Sequence, residues 1–299
     1  MGKFLFFICK PNLGGIFLDS QKRVAAIHDI SGFGRCSLTV ALPILSAMGI
    51  ETTAMPTALL STHTGIDGYT YKDLTDEMPL FIKHWKELDL KFDAVYSGFL
   101  GSHRQIELVC NFIDEFKTED TLVMVDPAMA DHGKMYTTFD KSFSKEMTKL
   151  CKKADVIVPN MTEAVFMLDM EYIEGPYTEQ YIENILKSLS DLGPSNIVLT
   201  GVHFNDKELG AASYDSQTGI INYSFSPFID SIYHGTGDIF ASVVLASILN
   251  NRELNQSVDT AVNFIYDCLI LSGNAKSNAF RGVIFESGLP ALSKELGLI

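Results

Sequence analysis

The chain alternates short apolar runs with longer segments in which apolar residues recur at helical spacing. Short apolar runs are typical of buried strands, and the longer segments are typical of amphipathic helices. Because a loop and a helix follow most of the predicted strands, the pattern favours an α/β fold with a mostly parallel central sheet and helices on both faces. The predicted strands are 23–28, 52–60, 94–97, 121–125, 156–159 and 196–200.

The segments with helical spacing predict the covering layers of this sheet. Pro43 lies inside the first predicted helix, where it should bend the helix or restrict its hydrogen bonding. Segments 210–214 and 220–225 are expected to pair as an antiparallel hairpin across the turn at 216–219. The predicted helices are 37–48, 72–88, 103–116, 142–154, 162–168, 177–192, 238–249, 254–274 and 288–296.

The pattern predicts one domain preceded by an extension. Neither an internal repeat nor a change in composition divides residues 22–299, so they are expected to form a single domain. Residues 1–21 begin like a signal peptide, but Lys10 and Pro11 interrupt the apolar stretch and no clear cleavage site follows. We therefore interpret residues 1–21 as an N-terminal extension.

Composition and charge narrow the classes of function. The 299 residues are 46% apolar, which is enough for a large core, and a net charge of −14 argues against a nucleic-acid binder. No apolar run approaches the roughly 18 residues that a membrane span needs. Five scattered cysteines without a C-x-x-C pair indicate reduced thiols. We expect a cytoplasmic protein that binds small molecules and neither nucleic acid nor a membrane.

Candidate binding residues follow the predicted strands. Ligands of open α/β sheets bind beyond the carboxyl ends of the strands, so groups that follow several strands can converge on one cleft. Each of these residues also has an ordinary structural interpretation, as a turn residue or a helix cap. The residues are Asp29, Gly98, Phe99, Asp126, Asn160 and Thr200.

A glycine-rich turn before the helix at 238–249 provides the strongest chemical signal. Gly235 and Gly237 allow a backbone that directs several N–H groups at one anion, and the positive end of the helix faces the same point. Asp238 would repel a bound anion unless it has another role. That role is a general base that takes a hydroxyl proton during phosphoryl transfer. The competing interpretation is an ordinary acidic residue in the first turn of a helix.

Five segments together resemble the pyridoxal kinases of the ribokinase-like superfamily, over about residues 23–296. A single Gly-x-Gly-Asp is a weak signal, whereas five segments in matching order are specific. The resemblance implies a three-layer ribokinase-like fold. It also implies ATP-dependent phosphorylation of the 5′-hydroxymethyl group of pyridoxal, pyridoxine or pyridoxamine in vitamin B6 salvage. The segments are Gly235–Asp238, 158–163, 126–131 with Tyr136 beyond, 63–65 and 97–101.

The same resemblance implies roles for individual residues. Asp238 would be the base, and Gly235, Thr236 and Gly237 would form the anion hole for the transferred phosphate. The nucleotide would be bound by Asn160, Glu163, Thr200 and Gly201. Asp126, Asp131 and Glu163 would hold Mg²⁺. The vitamer would be bound by Asp29, Thr64, Phe99 and Tyr136, with the loop 130–136 closing over the reacting groups.

Two further expectations come with the resemblance. Val158 occupies a position that is often threonine in these kinases, where the threonine can help to hold a monovalent cation, so a monovalent cation stays possible beside Mg²⁺. Members of this branch are commonly dimers, and a homodimer is therefore expected.

Two other functions remain open from the sequence. The first is a hydroxymethylpyrimidine kinase of thiamine synthesis, which shares the fold and the chemistry. Its early loop usually holds more glycines than the stretch 31–36 does here. The second is a non-catalytic protein that binds a B6 vitamer or a nucleotide. The presence of Asp238 together with Asn160 and Glu163 argues against that second alternative.

Overall fold

The computed structural model describes residues 21–230, 233–274 and 281–299. Its strands run from the start of the described chain to the hairpin before the glycine-rich turn. They are β1 (Arg23–Ser31), β2 (Glu51–Leu60), β3 (Tyr71–Asp73), β4 (Ala94–Ser97), β5 (Leu122–Val125), β6 (Ala130–Asp131), β7 (Lys134–Met135), β8 (Val156–Ile157), β9 (Asn196–Val202), β10 (Glu208–Asp215) and β11 (Ile220–Pro227).

Helices connect most of these strands and follow the last of them. They are α1 (Leu38–Ala47), α2 (Met78–Glu87), α3 (His103–Phe116), α4 (Lys141–Cys151), α5 (Met161–Met167), α6 (Glu179–Ser190), α7 (Thr236–Leu249), α8 (Leu254–Asn274) and α9 (Leu289–Glu295). A short 3-10 helix at Glu286–Gly288 precedes α9.

Within the described residues, nine strands form one sheet in the order β11-β10-β9-β8-β5-β4-β1-β2-β3. The six strands from β9 to β2 are parallel, whereas β3 at one edge and β10 and β11 at the other are antiparallel. The carboxyl ends of the parallel strands therefore share one edge of the sheet. The predicted mostly parallel sheet is confirmed, and the predicted hairpin corresponds to β10 and β11.

Two apolar clusters cover the two faces of this sheet. Alternate residues of β1 face opposite clusters, because side chains alternate along a strand: Ala25 and Ile27 join one, Val24 and Ala26 the other. The first cluster includes residues from α2 to α6, and the second includes residues from α1, α7, α8 and α9. The predicted helices on both faces are confirmed.

The helix α7 is buried along most of its length. All residues from Ile239 to Ser247 are buried, because α1 and α8 pack against α7 while it lies on the sheet. Its sequence is accordingly apolar on all sides rather than amphipathic. Burial of this kind fixes the position of the first turn of α7, which carries Asp238.

The structure corrects two predictions near the site. The predicted helix 72–88 is wrong in its first part, because Tyr71–Asp73 pairs antiparallel with β2 and the helix starts at Met78. Pro79 lies in the first turn of α2, where its missing N–H needs no partner. The loop 130–136 contains the small hairpin of β6 and β7. Apart from Gln21, the predicted extension lies outside the described residues.

No helix of residues 21–230, 233–274 and 281–299 combines the length and the apolar character that a membrane crossing requires.

We expect Leu245→Ala to lower the free energy of unfolding by about 2–5 kcal/mol, because Leu245 is fully buried in α7 and its truncation leaves a cavity. Leu80→Ala is the matched control, since Leu80 is 60% exposed on α2 and should change stability little. Urea denaturation of both variants makes the comparison. Equal losses of stability would contradict the burial of α7.

Candidate active site

The glycine-rich turn leads directly into the start of α7. Gly235 is the N-cap with φ +85°, in the left-handed region that favours glycine. A Cβ on Gly235 would lie 1.8 Å from the carbonyl oxygen of Arg35, so a side chain does not fit there. By contrast, a Cβ on Gly237 would meet no atom within 4 Å. The turn thus needs glycine at position 235, and it leaves open space at position 237.

The first backbone N–H groups of α7 are available to a ligand. The first hydrogen bond of the helix joins the Ile239 N–H to the Gly235 carbonyl at 3.0 Å. The N–H groups of Thr236, Gly237 and Asp238 precede that bond and have no acceptor among the described residues. Unpaired N–H groups at the positive end of a helix are suited to binding a phosphate.

Asp238 lies in this first turn and has the properties of a base that works near neutrality. Burial is the main cause that raises the pKa of Asp238, to about 7. The nearby backbone N–H of Ser37 opposes this shift, and the negative charge of Asp29 adds to it. A carboxylate with a pKa near 7 is a strong enough base to assist removal of an alcohol proton.

Asp29 is held beside Asp238 by two serine hydroxyls. The hydroxyl of Ser37 donates to one oxygen of Asp29, and the hydroxyl of Ser31 donates to the other at 3.2 Å. Burial raises the pKa of Asp29 in spite of these hydrogen bonds. The predicted contact of Asp29 with the ring of a vitamer stays a prediction.

Asn160 and Glu163 form a capping box at the start of α5. The Asn160 side chain accepts from the Glu163 N–H at 3.0 Å, and Glu163 Oε2 accepts from the Asn160 N–H at 2.9 Å. Glu163 Oε1 accepts from the Met129 N–H at 3.1 Å, and the Asn160 amide donates to the Ala130 carbonyl at 2.8 Å. The capping box therefore also holds the segment that leads from β5 into the hairpin of β6 and β7.

Asp126 follows β5 directly and is 8% exposed. Its carboxylate receives no hydrogen bond from the described residues; burial raises its pKa, and the charge of Asp238 raises it further. The pKa of Glu163 is raised by burial and then by the charge of Asp126. Asp238, Asp126 and Glu163 thus form a series in which the charge of one group raises the pKa of the next.

Asp126 fits a ligand of Mg²⁺, which prefers carboxylate oxygens and keeps several of its waters. A buried carboxylate without a hydrogen bond gains most from a nearby cation. Asp131 is instead exposed on the hairpin, where it accepts from the His132 N–H at 2.8 Å. The described residues hold no group of three or more acidic, histidine or cysteine side chains arranged for a metal. The joint role of Asp126, Asp131 and Glu163 stays a prediction.

Thr200 and Gly201 lie at the end of β9, next to Asn160. The Thr200 N–H donates to the Pro159 carbonyl at 3.0 Å, and Thr200 forms an isolated parallel bridge with Asn160. Gly201 has φ +77°, so the chain turns at this point into a conformation that favours glycine. Both residues are partly exposed beside the capping box, as a nucleotide contact requires.

The remaining predicted residues lie on the segments around this edge. Thr64 is exposed next to the buried His63. The ring of Phe99 lies 5.6 Å from that of Phe139. Tyr136 is 38% exposed, and the charges of Glu163, Asp131, Asp126 and Asp238 add to the effect of burial in raising its pKa. Tyr136 therefore lies within the electrostatic range of these acidic groups.

A comparison with known protein families shows to which family the chain belongs. The sequence profile of the phosphomethylpyrimidine kinase family matches residues 47–281. The chain belongs to this family. The match includes Asp126, Asn160, Glu163 and the whole turn from Gly235 to Asp238, so the family assignment covers most of the site.

Individual relatives of the phosphomethylpyrimidine kinase family include pyridoxal kinases as well as pyrimidine kinases. A Bacteroides thetaiotaomicron protein, provisionally named as a phosphomethylpyrimidine kinase and solved in a crystal form with pyridoxal, is 39% identical. It superposes with a TM-score of 0.87 over 93% of this chain and 96% of its own. Lactobacillus plantarum pyridoxal kinase is 28% identical, with a TM-score of 0.85 over 92% and 98% of the two chains.

A pyrimidine kinase is also similar, over a smaller share of the chain. The hydroxymethylpyrimidine/phosphomethylpyrimidine kinase of Bacillus subtilis is 27% identical over 199 residues, which are 64% of this chain and 70% of the relative. These similarities confirm the predicted likeness to pyridoxal kinases and the ribokinase-like fold. They establish a kinase of B6 vitamers or thiamine precursors.

Sequence reasoning missed two residues that organise the site of this family member. The Arg35 guanidinium contacts Glu286 at 2.6 Å and donates to the Arg281 carbonyl at 3.0 Å, while its own carbonyl packs on Gly235. The Ser37 hydroxyl donates to Asp29. The only sequence signal of Arg35 and Ser37 is their place in the turn before α1, because the partners of Arg35 are distant in the chain.

We expect Gly235→Ala to lower the free energy of unfolding by about 1–3 kcal/mol or more, because the left-handed backbone and the Arg35 carbonyl both exclude a Cβ. Gly237→Ala is the matched control. It should keep or slightly raise stability, since its Cβ enters open space and alanine favours a helix. Thermal unfolding of the two variants is the measurement, and equal stability would contradict the described turn.

Proposed function

We propose that this protein is a pyridoxal kinase. It transfers the γ-phosphoryl group of ATP to the 5′-hydroxymethyl group of pyridoxal, pyridoxine or pyridoxamine. The observation that carries the proposal is Asp238, a carboxylate with a pKa of about 7 beside the unpaired N–H groups that open α7. These two features support a base and an anion site of the kind that phosphoryl transfer to an alcohol uses.

The reaction forms one bond and breaks another. The hydroxymethyl oxygen of the vitamer attacks the γ-phosphorus of ATP, its proton passes to Asp238, and the bond from the γ-phosphorus to the departing oxygen of ADP breaks. The N–H groups of Thr236 and Gly237 stabilise the charge on the transferred phosphoryl oxygens. Asp238 then releases its proton to solvent once the products leave.

The other predicted residues bind and orient the two substrates in this proposal. Asn160, Glu163, Thr200 and Gly201 line the nucleotide side. Asp126 would hold Mg²⁺, with Glu163 and Asp131 nearby. Bound Mg²⁺ supplies neutralisation of the phosphate charge. Asp29, Thr64 and Phe99 face the vitamer, and the hairpin with Tyr136 excludes water when it closes.

A hydroxymethylpyrimidine kinase is the second candidate, supported by the family profile and by the similarity to the Bacillus subtilis enzyme. Its substrate is also a flat heteroaromatic ring with a hydroxymethyl arm, so the same base and anion site would serve. The crystal form of the Bacteroides thetaiotaomicron relative with pyridoxal favours the B6 vitamer, because that relative shares 39% of its residues with this chain.

ADP release with Mg-ATP and each candidate acceptor tests the choice between the two kinases. We expect turnover of pyridoxal, pyridoxine and pyridoxamine to exceed that of hydroxymethylpyrimidine. Preference for the pyrimidine would be consistent with the same mechanism but would assign the enzyme to thiamine synthesis. Binding of ATP without turnover of any acceptor would support the non-catalytic alternative instead. Repeating the assay with Na⁺ or K⁺ shows whether a monovalent cation is needed.

We expect Asp238→Asn to lower turnover by about 10²- to 10⁴-fold while both substrates still bind, because the amide cannot accept the proton. Asp259→Asn is the control, since Asp259 is exposed on α8. Steady-state kinetics and calorimetric binding separate the two effects. Full turnover by Asp238→Asn would show that Asp238 is not the base.

The kcat/KM of the wild-type enzyme should fall as the pH drops below about 7, because Asp238 must be deprotonated to act as a base and burial raises its pKa to about 7. The expected loss is about tenfold for each pH unit below that point. A pH series of kcat/KM from 5 to 8.5 is the measurement. A profile that stays flat down to about pH 5 would be inconsistent with the raised pKa.

We further propose that the protein forms a homodimer and is located in the cytoplasm. Light scattering of the purified protein tests the dimer, and fractionation of the source cells tests the location.

A further inference from the structure

Gln105 is a fully buried polar residue that the proposed chemistry does not use. It lies in the first turn of α3, and its exposed fraction is 0%. A side-chain amide is costly to bury unless its hydrogen-bonding groups have partners. The partners of Gln105 therefore indicate what its burial achieves.

The side-chain amide of Gln105 joins three separate segments of the chain. Its oxygen accepts from the Gly101 N–H at 2.7 Å. Its nitrogen donates to the Thr57 carbonyl at 3.0 Å and to the Thr75 hydroxyl at 2.9 Å. The orientation of the amide is fixed by chemistry, because a backbone N–H only donates and a backbone carbonyl only accepts. Gln105 thus ties the loop after β4 to β2 and to the connection between β3 and α2.

These contacts exceed those of an ordinary helix cap. Ser102 and Gln105 have the spacing of a capping box, and the Ser102 hydroxyl accepts from the Gln105 N–H at 3.3 Å. In such a box the glutamine side chain returns to the N–H of the capping residue. Here it binds the N–H of Gly101, one residue earlier, and its nitrogen contacts residues 30 and 48 positions away in the chain. Capping of α3 does not account for this arrangement.

The β2 residue in this network lies at an irregularity of the sheet. The register of β1 with β2 is interrupted after Pro56 and resumes at Leu59, so Thr57 is not part of that register. Its carbonyl accepts from Gln105, and its hydroxyl donates to the Phe99 carbonyl at 3.3 Å. The irregularity therefore lets β2 bind the loop after β4 instead of its neighbour in the sheet.

The network holds the loop after β4 at two points. Phe99 is bound through its carbonyl by the Thr57 hydroxyl, and Gly101 is bound through its N–H by Gln105, which also binds the Thr57 carbonyl. A Cβ on Gly101 would lie 2.4 Å from the hydroxyl oxygen of Tyr71, so the loop also packs closely against β3. The backbone on both sides of the fully buried residue 100 is therefore fixed relative to β2.

We infer that Gln105 is a positioning residue that fixes Phe99 against the acceptor ring and thereby sets how tightly the acceptor binds. The inference rests on the proposed function, in which Phe99 faces the ring of the vitamer.

The sheet order explains why the effect should be confined to the acceptor. In the order β4-β1-β2, the strand that carries Asp29 lies between the two strands that Gln105 connects, and β2 leads towards Thr64. These strands carry or precede the residues proposed for the vitamer. The residues proposed for the nucleotide instead lie at the ends of β8 and β9, on the far side of β5.

The first test compares the binding of acceptor and nucleotide. Gln105→Met keeps a side chain of similar size but removes its donor and acceptor, so the Gly101 N–H and the Thr57 carbonyl lose a partner. We expect the KM and the calorimetric Kd for pyridoxine to rise by about 5- to 100-fold. The KM for ATP should stay within about twofold. At saturating pyridoxine, kcat should fall less than kcat/KM.

Two threonine variants separate positioning from loss of stability. Thr57→Val removes the bond to the Phe99 carbonyl and should also weaken pyridoxine binding. Thr121 is likewise buried, but it precedes β5 at the opposite edge of the sheet, where its hydroxyl donates to the Phe92 carbonyl at 3.0 Å. Thr121→Val should lower the temperature of unfolding and leave the affinity for pyridoxine unchanged. An equal loss of affinity in Thr121→Val would contradict the inference.

A second measurement reports the contact itself and does not depend on catalysis. Hydrogen exchange of the Gly101 amide, followed by NMR, should be at least about tenfold faster in Gln105→Met, because the Gln105 oxygen is its acceptor. The Leu122 N–H donates to the Asp93 carbonyl at 2.9 Å, at the start of β5, and its exchange should not change. Unchanged exchange of the Gly101 amide would overturn the inference.

The outcomes separate this inference from the proposed function. Equal pyridoxine binding by the wild type and by Gln105→Met would overturn the inference and leave the proposed pyridoxal kinase intact. A wild type that neither binds nor phosphorylates pyridoxine would reject the proposed function and, with it, the role of Gln105 towards the acceptor. Weaker binding of pyridoxine alone, together with faster Gly101 exchange, would support the inference.

Discussion

The arrangement of the site depends on repulsion between buried carboxylates. The parallel sheet delivers acidic groups to one edge, where burial and neighbouring charges raise the pKa of each. The fold offsets this cost with hydrogen bonds to two of them, from serine hydroxyls to Asp29 and from backbone N–H groups to Glu163. Asp126 lacks this support among the described residues, so a nearby cation would stabilise its ionised form.

The same hydrogen bonds connect local folding with the geometry of the site. The capping box of Asn160 and Glu163 satisfies the first N–H groups of α5, as such boxes do in many helices. Its remaining donors and acceptors hold Met129 and Ala130, and the Gly133 N–H donates to Thr162 at 3.0 Å. One helix start therefore holds the hairpin, and the Tyr136 N–H just after the hairpin donates to the Met129 carbonyl at 2.9 Å.

The sequence predicts the layers and the main chemical groups, because these depend on local pattern. Alternating strands and helices predict the sheet, and the glycines at 235 and 237 with Asp238 predict the anion site. The three-residue β3 and Ser37, which has φ +57°, were not predictable in this way. The strand is determined by its pairing with β2, and the Ser37 hydroxyl is bound by Asp29 rather than by the helix that it precedes. A short polar strand and a single strained φ leave no periodic signal.

The turn from Gly32 to Ser37 contacts both Asp29 and the glycine-rich turn at Gly235, so one continuous segment of chain links these two parts of the site. The Arg35 carbonyl packs on Gly235, and the Arg35 guanidinium holds Glu286. Two residues later, the Ser37 hydroxyl donates to Asp29, the acid proposed to face the ring. One short segment therefore contacts both Asp29 and the turn that is proposed to bind the phosphate. Because phosphoryl transfer depends on alignment of the acceptor oxygen with the phosphorus, a rigid connection of this kind favours reaction without a large rearrangement.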